Sequence, residues 1–148
     1  MPTLLRQTTH AANPIRYTDA SMQILPQASR ATRPGPASYF SGAVTIDEIL
    51  PLQPSSRMKV NRVTFHDGAR TAWHTHPAGQ AIHIVSGVAQ VQREGEPVKT
   101  VNVGDTVWFE PNERHWHGAA PGNDMVHLAM QEIDGNGTDV VWLEHVLP

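Results

Sequence analysis

From Tyr39 onward the chain reads as short runs in which apolar and polar residues alternate. Val44-Thr-Ile46 places two apolar side chains two apart, and Val60-Asn-Arg-Val-Thr-Phe65 repeats the pattern after Pro51 and Pro54. Ala81-Ile-His-Ile-Val85 ends at Ser86-Gly87, and Val88-Ala-Gln-Val-Gln92 alternates up to the turn residues Glu94-Gly95-Glu96-Pro97. Residues 98–103, 106–110, 125–130 and 140–143 complete the series. Side chains of a strand point alternately to opposite faces, so period-two runs predict half-buried strands. Turn residues recurring at roughly 10-residue spacing predict a sandwich or barrel. Only Asp47-Glu-Ile-Leu50 reads as a helical turn, and no long 3.6-residue period exists. The fold class is all-β.

Residues 1–37 lack this pattern. They carry Pro2, Pro14, Pro26, Pro34 and Pro36 and no sustained period, which predicts an extended arm ahead of a single domain spanning residues 38–148. Within the arm, Met22-Gln-Ile-Leu25 is apolar enough to pair as an edge strand or dock on a partner subunit.

Composition narrows the chemistry. The chain has no cysteine, which excludes disulfides, thiolate-bound zinc and thiol nucleophiles. A net charge of −3 without a basic stripe argues against nucleic acid. No apolar run approaches the ~20 residues of a membrane span, and Met1–His10 has no signal-peptide core, so the expectation is a soluble cytoplasmic protein. The nine histidines are the anomaly, because seven of them (His66, His74, His76, His83, His115, His117 and His127) fall between positions 66 and 127.

His74 and His76 are two apart and share one face of an extended segment, with the side-chain oxygen donor of Gln80 following a Pro-Ala-Gly turn. His115 and His117 repeat the spacing on a second stretch. Three imidazoles and one amide oxygen converging inside a small barrel would hold a divalent transition metal and leave positions open for a small-molecule substrate. His117 is read as lining the pocket, acting as an outer donor or filling the barrel. His127, among Val126, Leu128 and Met130, reads from its neighbours alone as a satisfied core histidine. Thr71 stands beside the first histidine stretch, where it could hydrogen-bond a substrate oxygen or simply form a turn. Trp73, Trp108 and Trp116 read as packing residues.

The spacing Gly68-x5-His74-x-His76-x3-Gln80-x6-Gly87 resembles the first cupin motif, with Gln80 where most cupins carry glutamate, and the interval from Gly104 to His115 resembles the second. The resemblance covers roughly residues 38–146, and it implies a single-domain cupin, a jelly-roll β-barrel. Asn112 stands where the second motif has glycine, a change that asparagine's tolerance of left-handed turns accommodates. The runs Gly68–Pro77, Val107-Trp-Phe109, His115–Pro121, His127–Glu132 and Trp142–His145 are similar to the small bacterial cupin hydroxynitrile lyases. That resemblance implies a divalent metal, manganese first and iron, nickel or zinc as alternatives, held by His74, His76, Gln80 and His115. It also implies His127 as acid–base catalyst, with His117 a second catalytic candidate from its shared face with His115, and Gln131 and Val63 as pocket residues. The expected activity is cleavage or formation of a cyanohydrin from an aldehyde and hydrogen cyanide, in a homodimer or homotetramer. A cupin dioxygenase and a non-catalytic small-molecule-binding cupin are the alternatives.

Overall fold

The computed structural model describes residues 21–148. A turn of 3-10 helix at Gln27–Ser29 precedes twelve strands: β1 (Thr32–Pro34), β2 (Phe40–Ser41), β3 (Val44–Leu50), β4 (Met58–Phe65), β5 (Arg70–Thr71), β6 (His74–Thr75), β7 (Gln80–Arg93), β8 (Lys99–Asn102), β9 (Thr106–Phe109), β10 (His115–Ala119), β11 (Met125–Glu132) and β12 (Val141–Trp142). No α-helix occurs among the described residues.

Two antiparallel sheets share one long strand. The first runs β1-β3-β4-β11-β7-β9, and the second runs β2-β5-β10-β7-β8, with β6 on β10 and β12 on β6. β7 fuses the two short strands that the sequence predicts at 81–85 and 88–92. Its N-terminal half belongs to the first sheet and its C-terminal half to the second. In the first half Gln80, Ile82 and Ile84 point inward, whereas in the second Ala89 and Val91 do, so the inward parity changes at the corner. A register shift against β11 between Val126 and His127 marks the place. Strands that pass from one sheet to another turn the corner through such a bulge. Gly87 makes the corner possible: its φ is +77°, and a Cβ there would lie 1.9 Å from the Asp124 carbonyl oxygen.

The core is a single cluster including Phe40, Val44, Ile46, Phe65, Ile82, Ile84, Phe109 and Met125. Asp47–Leu50 is strand, not a helical turn. Asp47 lies opposite Arg62 and Thr32 in the ladder, accepts a hydrogen bond from the Thr32 hydroxyl at 2.7 Å and faces Arg62 at 3.8 Å. Pairing on both sides of β3 outweighs any local helical preference. The edge strand of the arm is Thr32–Pro34 rather than Met22–Leu25, whose Met22 and Ile24 side chains are exposed. The rest of the expected arm, residues 1–20, lies outside the described residues. Trp116 is buried as expected of a packing residue, but Trp108 is exposed on the outer side of β9.

Candidate metal centre

The inner face of the second sheet gathers the histidines. His74 on β6 sits directly opposite His115 on β10, and His76 follows two residues after His74. Ring centroids lie 4.3 Å apart for His74 and His115, 5.0 Å for His74 and His76, and 5.4 Å for His76 and His115. All three side chains are buried. The Phe109 ring stacks on His115 with centroids 3.7 Å apart, which fixes the plane of that imidazole.

Each of these rings is oriented through its far nitrogen. Nδ1 of His74 donates to the Ala72 carbonyl at 2.9 Å, Nδ1 of His76 to the Asp139 carbonyl at 2.7 Å and Nδ1 of His115 to the Glu113 carbonyl at 2.8 Å. A carbonyl oxygen only accepts, so the proton of each neutral ring resides on Nδ1 and the lone pair on Nε2. Burial holds His74 well below the ordinary imidazole range, with the neighbouring His115 and His76 adding to it, and lowers His76 as well. It takes His115 down to about 3, the Glu113 carbonyl opposing it only in part. The rings are therefore neutral at pH 7 and able to ligate a metal. Nε2 of His76 and of His115 are buried with no partner.

Gln80 reaches the same place from the first sheet. Gln80 on β7, Gln131 on β11 and Lys59 on β4 lie side by side across three adjacent strands. The Gln80 amide nitrogen donates to Gln131 Oε1 at 2.7 Å, and the Gln131 amide nitrogen donates to the Asp139 carboxylate at 2.8 Å. Lys59 completes the row with an ion pair to the same carboxylate oxygen at 3.0 Å. Burial raises the Asp139 pKa, but the hydrogen bonds from Gln131 and Lys59 outweigh it, and the carboxyl is held below its usual range. What remains of the Gln80 carboxamide is Oε1, buried and without a partner. Buried polar atoms are normally satisfied. Two buried imidazole nitrogens, on rings 5.4 Å apart, and a buried amide oxygen left bare are the donor set that a divalent cation fills, and the residues fit such an ion.

A second pair lies deeper. His127 on β11 and His117 on β10 are both buried, and His127 Nε2 stands 3.0 Å from His117 Nδ1. The outer nitrogens, His117 Nε2 and His127 Nδ1, have no partner. Burial lowers His117 well below its ordinary value, His127 adding to it, and brings His127 to about 4. His74, His115 and His117 each offer a ring nitrogen within 4.8 Å of the others, a three-histidine group that can hold a divalent metal. His74 and His115 thus belong to two overlapping triads, one completed by His76 and one by His117.

His74, His76, Gln80, Gln131, His117 and His127 line a cavity of about 340 Å³, and His115 packs against His74 beside it. Val63, Ile46, Phe65 and Phe40, with Trp142 stacked on Tyr39 at 4.7 Å, make the apolar and aromatic part of its wall. Thr71 is buried in the wall, not on a surface turn, and its hydroxyl oxygen accepts from the His117 N–H at 3.2 Å. Gln131, Val63 and Thr71 therefore all face the cavity, while His83 points outward to Thr106. Sequence reasoning missed Lys59 and Asn61, although both continue the period-two row of Val63 and Phe65 on β4. It also missed Arg33 at the mouth and Asp139, for which the loop sequence carries no signal.

Residues 61–131 match the family described as Cupin domain. An (R)-mandelonitrile lyase of Granulicella tundricola is 48% identical over 126 residues, covering 84% of this chain and 95% of that protein. Among solved structures, a cupin-like protein from Thermotoga maritima is 33% identical and superposes with a TM-score of 0.72 over 77% of this chain and 86% of its own. The polyketide cyclase RemF of Streptomyces resistomycificus shares 14% identity at a TM-score of 0.65 over 86% and 87%, a likeness of fold alone.

Proposed function

The chain belongs to the cupin family, and on that footing we propose that it is a metal-dependent hydroxynitrile lyase, splitting an aromatic cyanohydrin such as mandelonitrile into aldehyde and hydrogen cyanide, or joining them. The observation that carries this reading is the bare donor set of His76, Gln80 and His115, of which His76 and Gln80 line a partly aromatic cavity, in a chain so similar to an (R)-mandelonitrile lyase.

We read His74, His76, Gln80 and His115 as the metal ligands, because each has its other polar atom tied to the protein and one lone pair left over. A divalent ion bound there, manganese in our reading, with iron, nickel and zinc suited to the same donors, would supply Lewis acidity toward the hydroxyl or nitrile end of the substrate. The protein's own part is the proton. His127 is neutral at pH 7, and its Nδ1 takes the hydroxyl proton as the C–C bond breaks and cyanide departs, then returns it to form hydrogen cyanide. His117 holds the ring through the 3.0 Å contact. Thr71, Val63 and Gln131 shape the cavity, and Phe65, whose ring centroid is 5.2 Å from that of His127, keeps water from the imidazole.

The barrel is read as residues 38–148 with 1–37 as its arm. No helix among the described residues is long and apolar enough to cross a membrane, and we place the protein in the cytoplasm. Assembly as a homodimer or homotetramer is part of the same reading.

The test is metal analysis of the purified protein followed by a mandelonitrile cleavage assay on metal-stripped and reloaded samples. Activity that disappears on stripping and returns on reloading is expected. A protein that carries metal yet releases no benzaldehyde overturns the lyase reading, and dioxygen uptake with a phenol would move it to the oxygenases.

A further inference from the structure

A carboxamide presents an oxygen at one end and an NH2 group at the other, and the two are nearly equal in size. Only the oxygen carries a lone pair for a metal. Glutamine is therefore a ligand in one of its two flip states and a repulsive group in the other, a problem that a glutamate does not have. The structure holds the answer in the row of hydrogen bonds behind Gln80.

We infer that Asp139 is a positioning residue that polarises the Gln131–Gln80 amide chain and so turns the Gln80 oxygen toward the histidine nitrogens; this rests on the reading of Gln80 as a metal ligand. An ionised carboxylate has no proton to give, so Gln131 must meet Asp139 with its NH2 group, at 2.8 Å. That leaves Gln131 Oε1 facing Gln80, which must in turn donate its own NH2 group, at 2.7 Å. The Gln80 oxygen is then the only end free to face the cavity, where it is buried without a partner. Flipping either amide sets oxygen against oxygen. Lys59 pins the carboxylate at 3.0 Å, and the register places Gln80, Gln131 and Lys59 on one row across β7, β11 and β4. The backbone carbonyl of the same residue orients His76 at 2.7 Å, so one position sets two of the four proposed ligands.

The experiment is a double-mutant cycle read by Mn(II) affinity, measured from the electron paramagnetic resonance signal of the free ion. Asp139→Asn keeps shape and backbone but lets the chain reverse, since asparagine can donate. Its Mn(II) affinity should fall about 10- to 100-fold, the usual loss for a group that orients a ligand. In a Gln80→Glu background the sign should change. A carboxylate at position 80 offers oxygen at both ends and needs Gln131 to donate toward it, which Asp139 opposes and an asparagine in its place permits. Asp139→Asn should then leave affinity unchanged or raise it. A merely structural Asp139 would lower affinity in both backgrounds, and that result overturns the relay. So does an Asp139→Asn protein that binds within about twofold of wild type. If Asp139→Asn does not fold, Gln131→Leu breaks the chain one link nearer and should show the same loss, with unchanged affinity overturning the proposal. Wild-type protein that takes up no Mn(II) overturns the ligand reading itself, and the relay with it.

Discussion

Nε2 of His127 lies 3.0 Å from Nδ1 of His117, and both rings are shut away from water. Two neutral imidazoles in this contact share one proton between the facing nitrogens. If His127 donates, its Nδ1 is a bare base and His117 Nε2 carries a proton. If His117 donates, the roles exchange. Either way the pair offers the cavity one base and one acid, a property that neither ring has alone.

Replacing His127 by alanine should therefore lower cyanohydrin cleavage by about 10²- to 10⁴-fold, the usual worth of a general base. Metal content should stay at the wild-type level. Benzaldehyde release and metal analysis on the same sample check this, and a metal-loaded variant with wild-type turnover removes the role given to His127.

The two overlapping triads make opposite forecasts. With His76 as the third imidazole ligand, His76→Ala strips the protein of metal, while His117→Ala keeps its metal and loses turnover. Metal stoichiometry of the two variants decides between them. Loss of metal from His117→Ala alone would put His117 in the ligand set.

Stability should fall in mild acid, before most carboxylates titrate. His115 and His127 have folded pKa values of about 3 and about 4, and His74, His76 and His117 are also lowered. Between those values and the unfolded ~6.5 the unfolded chain binds more protons, so stability rises with pH across that window. It is fully present above ~6.5 and lost as pH falls toward 4; His127 alone contributes on the order of 3 kcal/mol. Denaturant melts of metal-stripped protein from pH 7 down to pH 4 should show the decline, and His127→Asn should flatten part of it.

Gly87→Ala should cost several kcal/mol, roughly 2–4, since it combines a left-handed backbone with a clash against a neighbouring carbonyl. The added Cβ would meet the Asp124 oxygen at 1.9 Å and push apart the corner of β7. Thermal unfolding measures the loss. A melting temperature unchanged from wild type would mean that the corner relaxes freely.

Much of this architecture was legible in the chain. Period-two alternation from Val44 to Trp142 reports the all-β class because a strand exposes one face and buries the other. His74 and His76 share a face for the same reason, and the flanking glycine spacing carries the family resemblance. Asn112 takes a φ of +62°, as its replacement of glycine requires. Other features misled: Asp47–Leu50 looked helical until its partners on β1 and β4 were known, and Trp108, read as a packing residue, is largely exposed on β9.

Side-chain chemistry and alternation are local properties, so the chain alone singled out residues able to bind a metal and put most of them on strands, with His76 just past the end of β6. Folding was needed to settle which nitrogens of His76 and His115 are bare, which end of Gln80 faces the cavity, and that His127 meets His117. For His74 and His115 the orienting carbonyls, Ala72 and Glu113, lie only two residues away, but for His76 and Gln80 the partners come from far along the chain, and His117 and His127 meet from separate strands. Asp139 shows the difference most plainly: nothing local marks it, yet through its carboxylate and its carbonyl it orients Gln80 and His76.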